Sequence, residues 1–238
     1  WSEKPAYALN DGFYFQNYSD AWTRGHMSTF FKNSLITTLV ALVFIVFFSV
    51  TVGFAVTKMK WKFRNAVAQY FRFGIMIPVA IALIPLFQIY SRSNLLNTRT
   101  CLIITYIAFG LSLSIYLVQG YLRSFPDDIM EAAVIDGCTP FMAFWRIVFP
   151  LLMPSISAVV ILNGFGIWNN YSQAVFFLQS SAKHNVPQAL SVYFQQFAGA
   201  KWNLMAATAV IAIVPVVVIF LIFQKSLMKG LTEGAIKG

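Results

Sequence analysis

The chain has 238 residues, of which 58% are hydrophobic and only 11% charged. A soluble domain carries roughly 25% charged residues, so composition excludes a soluble globular fold. The net charge of +9 comes from 17 Lys and Arg against 8 Asp and Glu. Those bases flank apolar runs, a pattern of membrane orientation rather than of nucleic-acid binding.

Taken in chain order, five intervals contain no Asp, Glu, Lys, Arg or His: residues 34–57, 73–91, 100–122, 151–182 and 202–224. A bilayer core needs about 20 apolar residues in a helix. Four intervals fit one crossing each, and the fourth in order is long enough for a crossing plus a flanking turn. The runs do not alternate as barrel strands would. The expected fold is an all-α integral membrane protein with five transmembrane helices. Residues 1–33 form an external segment, 34–224 the transmembrane domain and 225–238 a cytoplasmic tail.

Lys58, Lys60, Lys62, Arg64 and Arg72 fall between the first two runs. Their positive charge places that link, and Lys62 with it, in the cytoplasm. Alternation then puts His184 outside and the C-terminus inside. Cys101 falls at an external membrane edge and Cys138 in a cytoplasmic loop, so this topology keeps them from pairing. Because the chain starts at Trp1 rather than Met, with a polar, aromatic segment, more sequence is expected to precede it in the natural protein.

No residues for enzyme chemistry stand out. His26 and His184 are far apart, and no HExxH, GxSxG, CxxC or Gly-Lys pair occurs. Gly164-Phe165-Gly166 lacks the third glycine of a dinucleotide loop and reads as a close helix contact. The charge-free intervals offer no proton or ion relay, which argues against a secondary carrier. Energy for uphill transport must then enter from outside the bilayer.

Thr105, Ser112, Tyr116 and Gln119 recur at helical spacing on the third run. On the fourth, Asn163 and Asn170 share a face, with Trp168, Asn169 and Tyr171 near its outer half. Two readings stay open: a translocation path lined by hydroxyl, amide and aromatic groups, or hydrogen-bonding glue between helices.

The loop at 123–150 holds half of the chain's acids: Asp127, Asp128, Glu131 and Asp136. Ser124, with Asp127 three residues on, suits a helix start, and Pro126 suits a first turn. Gly137 is a natural helix end, and Thr139-Pro140 begins a second helix running to about Phe149. Ala132 and Ala133 beside Glu131 permit close approach by another protein. An ordinary amphipathic loop at the membrane surface fits the spacing equally well.

Glu131-Ala132-Ala133, Asp136-Gly137, Phe144-Trp145-Arg146-Ile147 and Pro150 resemble the EAA loop of binding-protein-dependent ABC importers, most closely the carbohydrate-uptake branch. The pattern is E-A-A-x-x-D-G followed by F-W-R-I-x-x-P, and every position is present. Pro78, Pro85 and Leu95-Leu96-Asn97-Thr98 extend the resemblance. The end, Gly230 to Gly238, is similar to the tail of G-type permease subunits in the maltose-importer branch. The resemblance implies a permease subunit of an ATP-driven importer, itself not an enzyme and without a cofactor. ATP and Mg would be bound by a partner ATPase. It implies as partners a second homologous permease, two cytoplasmic ATPase subunits, an external solute-binding protein, a carbohydrate and the lipid bilayer. The setting is the bacterial cytoplasmic membrane.

On that resemblance Glu131, Ala132, Ala133, Asp136, Gly137, Phe144, Ile147 and Pro150 contact the ATPase. The tail residues Gly234, Ala235, Ile236, Lys237 and Gly238 insert between the ATPase subunits. Family members of this branch have six spans, so a first helix before Trp1 is expected. The external stretch 179–201 matches the position of a loop that reaches into the binding protein. The alternatives are a permease for amino acids, peptides or phosphonates, or a secondary carrier acting alone.

Overall fold

A computed structural model describes residues 14–23, 25–126, 128–196 and 202–235, and every regular element among them is helical. Helix α1 (Gln16–Thr23) precedes α2 (Met27–Thr57), which begins before the first charge-free interval. Helices α3 (Arg64–Ile75) and α4 (Val79–Arg92) meet at a bend of 101°. Helix α5 (Arg99–Arg123) is continuous. Short helices α6 (Asp128–Ile135) and α7 (Pro140–Ala143) lead into a π-helical turn (Phe144–Val148) and α8 (Phe149–Leu151). Helix α9 (Met153–Trp168) follows after a 67° bend, then α10 (Ser172–Phe177), a 3-10 turn (Ser181–Lys183), α11 (Val186–Gln196) and α12 (Trp202–Ala235).

Three helices, α2, α5 and α12, are long and apolar enough to cross a bilayer alone, and counting each bent pair as one span gives five. The second expected span is therefore not one straight helix. Pro78 has no N–H, sits in extended backbone at φ −63°, ψ 129°, and disfavours helix in the residue before it. The break also moves two bases. Arg64 and Arg72 are helical residues of α3 rather than parts of a link, and Arg72 lies one turn before the bend.

The centre of the bundle is α2 packed along α5. A Cβ on Gly53 would stand 2.7 Å from Val118, and one on Gly110 would stand 2.7 Å from Ile45 and 2.6 Å from Asn163 of α9. Both glycines are thus places where helices touch backbone to side chain, as association in lipid favours. Gly74 likewise lies against the Ser112 side chain. The main core joins Ala41, Ile45 and Val50 of α2 to Leu102, Val118 and Leu122 of α5 and Leu152, Ile156 and Val159 beside them. Helix α12 is peripheral: 11% of its apolar window is buried, against 44% for α2 and α5. Its contacts with Met27, Phe30 and Trp168 make a smaller second core at one end.

That end is tied by polar side chains. Asn97, at φ +58°, donates its backbone N–H to Phe177 O at 2.9 Å. Its Oδ1 accepts from the Gln179 and Ser180 N–H groups at 3.1 and 3.0 Å, and its carbonyl accepts from Lys183 Nζ at 2.5 Å. Asn33 donates to Ala182 O and His184 O at 3.0 and 2.9 Å, while Ser34 Oγ accepts from Val186 N–H at 2.9 Å. Burial pushes the His184 imidazole down from its ordinary 6.5. Residues 33, 97 and 183, all expected on one side of the membrane, therefore meet. Lys58 and Phe125, expected on the other side, meet as well, through a 2.9 Å hydrogen bond. Cys101 and Cys138 are both free thiols.

The Asn97 clamp is testable without straining the backbone, since glycine adopts positive φ freely. Asn97→Gly should lower thermal stability in detergent by about 1–2 kcal/mol, as two amides lose their acceptor. Asn97→Asp, which keeps that acceptor, should stay near wild type. Equal melting temperatures for all three proteins would show that the clamp contributes nothing.

Candidate coupling loop and membrane faces

The loop between α5 and α9 consists of two short helices around a left-handed glycine. Gly137 has φ +82°, and the chain closes there with Asp136 N–H on Ala132 O and Cys138 N–H on Ala133 O, both 2.9 Å. This is a helix ending in a residue where glycine is strongly preferred. Thr139 starts the return: its Oγ1 accepts from Met142 N–H at 3.2 Å. Ser124 does not start a helix as expected. It ends α5, donating its hydroxyl to Tyr121 O at 2.7 Å, because α5 continues until Pro126 stops it. Asp127 lies outside the described residues. The π-helical turn has a cause in Pro150, which supplies no N–H and whose ring opposes an ordinary helical bond four residues back.

Side chains divide cleanly across the loop. Ala133 and Phe144 are buried and Ile147 is half-buried, whereas Ala132, Asp136, Gly137 and Pro150 are exposed. Glu131 lies in the middle of α6. At the tip, Ile135 is 86% exposed and Phe141 74% exposed, one on each side of Gly137. Asp136, between them in sequence, is exposed as well. The loop rests on α2, which is distant in sequence. Phe144 packs against Phe54 with the rings tilted and their centroids 4.9 Å apart, and Lys58 Nζ donates to Phe125 O. Sequence spacing points to neither Phe54 nor Lys58; Lys58 is visible there only as one base in a cluster.

The polar residues of the third and fourth runs are placed as follows. Thr105, Ser112 and Gln119 are buried at seven-residue intervals on one side of α5, and Thr105 Oγ1 lies 2.9 Å from Tyr90 Oη of α4. Tyr116 stands apart from them and is 54% exposed. Asn163 Nδ2 donates to Ser114 Oγ of α5 and to Val159 O, each at 2.9 Å. Trp168 donates to Ala212 O of α12 at 3.1 Å. Asn170 Oδ1 accepts from Gln173 N–H at 3.0 Å and caps the start of α10. These contacts bring α5, α9 and α12 together and leave Tyr116 as the outward-facing member of the set. Gly164 packs against Leu42 of α2, while Gly166 has open space. At the other terminus, α12 carries Gly234 and Ala235 in its last turn; Ile236, Lys237 and Gly238 lie outside the described residues.

A helical bundle with three to five candidate crossings is the architecture of an integral membrane protein. Residues 45–233 match the family described as the binding-protein-dependent transport system inner membrane component, and the chain belongs to that family. Curated relatives include the diacetylchitobiose uptake system permease protein NgcG of Streptomyces coelicolor. It is 29% identical over 97% of this chain and 77% of that protein. The melibiose/raffinose/stachyose import permease protein MelC of Bacillus subtilis is 32% identical over 94% of this chain and 81% of that protein. Among solved structures, a bacterial ABC transporter that imports the acidic polysaccharide alginate superposes with a TM-score of 0.82. It is 22% identical, covering 94% of this chain and 84% of that one.

Two substitutions separate packing from path. Asn163→Ala removes an interhelical hydrogen bond worth about 1 kcal/mol, and should lower the thermal stability of the assembled complex. Tyr116→Ala should reduce uptake several-fold with stability unchanged. Uptake at the wild-type rate in Tyr116→Ala would remove Tyr116 from the path.

Proposed function

We propose that this chain is the permease subunit of an ATP-driven importer that carries a carbohydrate or related polyol into the cell. Membership of the binding-protein-dependent family supports the importer class. The substrate class is supported by relatives named for diacetylchitobiose and for melibiose, raffinose and stachyose. Those names favour carbohydrate over an amino-acid, peptide or phosphonate branch, and family membership disfavours a carrier acting alone.

The subunit is itself non-catalytic. ATP and Mg are bound by a partner ATPase pair, and a second permease and an external binding protein complete the importer. The membrane is the bacterial cytoplasmic membrane, with the loop at 123–150 and the C-terminus inside. The observation that carries the ATPase reading is the loop tip, where Ile135 and Phe141 are exposed on either side of Gly137. Large apolar side chains held out by a capped turn suit insertion into a cleft on another protein. Glu131, Ala132, Ala133, Asp136, Gly137, Phe144, Ile147 and Pro150 form this coupling element. Gly234, Ala235, Ile236, Lys237 and Gly238 contact the ATPase pair. Thr105, Ser112, Gln119, Asn163, Trp168 and Asn170 hold the walls of the path, and Tyr116 faces it.

The test is ATP hydrolysis by the reconstituted complex, stimulated by carbohydrate-loaded binding protein. A Cβ at Gly137 meets nothing within 4 Å, so substitution there acts through backbone strain of roughly 1–2 kcal/mol and through the docking face. Gly137→Val should abolish most of the stimulation while the protein still inserts in the membrane. Gly137→Asn, which tolerates the same φ, should retain more. Glu131→Ala should act like valine but more mildly. Undiminished stimulation and ATPase co-purification in Gly137→Val would overturn the coupling role.

A further inference from the structure

We infer that Lys58, at the inner end of α2, is a positioning residue that ties the coupling loop to α2, so that loop displacement moves the α2–α5 pair as one body. This rests on the coupling role proposed above for the loop at 123–150. By chain connectivity the loop pulls only on α5, where it begins, and on α9, where it ends. The contacts add a third attachment.

Lys58 is the residue that ends α2; its backbone N–H still bonds Phe54 O at 2.8 Å, so its position is fixed by the helix. Its side chain crosses to α5's exit and donates to Phe125 O at 2.9 Å. That carbonyl lies beyond the last turn of α5 and just before Pro126, where no helical N–H is available to it. A charged donor on a carbonyl is among the stronger hydrogen bonds. Lys58 is one wall of an apolar crevice whose other walls include both halves of the loop, Met130 on the outgoing side and Val148 on the returning side. One turn earlier on α2, Phe54 packs at a tilt against buried Phe144 of the returning half. The loop is therefore gripped at its start by Lys58 and at its return by Phe54, one turn apart on the same helix.

That helix is also the one held closest to α5. Gly53, adjacent to Phe54, lets the helices approach until Val118 fills the space of a Cβ. A force on the loop thus reaches α2 through a polar strut and a ring contact, and α2 cannot move without α5. Packed elements shift as bodies rather than deform. The chemistry the strut asks of position 58 is a cation on a flexible stem that reaches the Phe125 carbonyl over apolar surface.

The experiment uses the complete importer, with both permeases, the ATPase pair and the binding protein, in lipid nanodiscs. Lys58→Met keeps an apolar stem on the crevice wall and removes the donor; Lys58→Arg restores a cation. Lys58→Met should cut the ratio of substrate-stimulated to basal ATP hydrolysis about five- to tenfold, the scale of one charge-assisted hydrogen bond. ATPase co-purification and complex melting temperature should match wild type, and Lys58→Arg should recover most of the ratio. A wild-type ratio in Lys58→Met would overturn the strut. So would a fall in ratio that tracks lost ATPase or a lowered melting temperature, because that marks a structural or docking role. Gly137→Val, measured alongside, separates the two levels. If it uncouples while Lys58→Met does not, only the strut fails; if neither does, the coupling loop itself fails.

Discussion

The approach of α2 to α5 is the contact on which the rest of the bundle is built. In lipid no hydrophobic force drives helices together, so close packing and polar bonds must do it. Gly53 and Gly110 remove side chains at two points along that contact, and Val118, Ile45 and Asn163 occupy the vacated space. Because Gly110 meets residues of α2 and α9 together, it sets the spacing of three helices at once. Asn163 then bonds Ser114 across the same gap. A side chain at either glycine would push apart the helices that frame the loop and the clamp.

Around this pair the chain uses breaks rather than straight crossings. Proline at 78 bends α3 away from α4, and a second bend separates the returning loop helix from α9. Each break leaves a short helix that cannot be held by its own length. Polar side chains hold them instead. Tyr90 fixes α4 to α5 through Thr105, and Asn97 binds the link after α4 to the segment after α10. The two polar ends are built differently. One is clamped by amide side chains on backbone groups. The other presents the loop, with Ile135 and Phe141 outward and Phe144 drawn in against α2.

Composition, the charge-free runs and the EAA-like pattern determine the class: a helical membrane protein of this importer family. Run length sets the number of crossings because a bilayer has fixed thickness. Gly137 announces its own turn because few residues accept positive φ, and Thr139-Pro140 announces the helix after it. What spacing alone left undecided is which partner each polar side chain finds. Tyr116 shares a helical stripe with Ser112 and Gln119, yet only it faces outward, since about 40° of rotation on a helix decides burial and no local signal encodes the neighbour. Ser124 has the chemistry of a helix start and serves a helix end, because α5 had not yet stopped. Arg72 looks like a link residue until Pro78 places the break after it. Lys58 looks like one more orienting base until α5 brings Phe125 within reach. Those assignments belong to tertiary structure, because each depends on a contact between segments far apart in the chain.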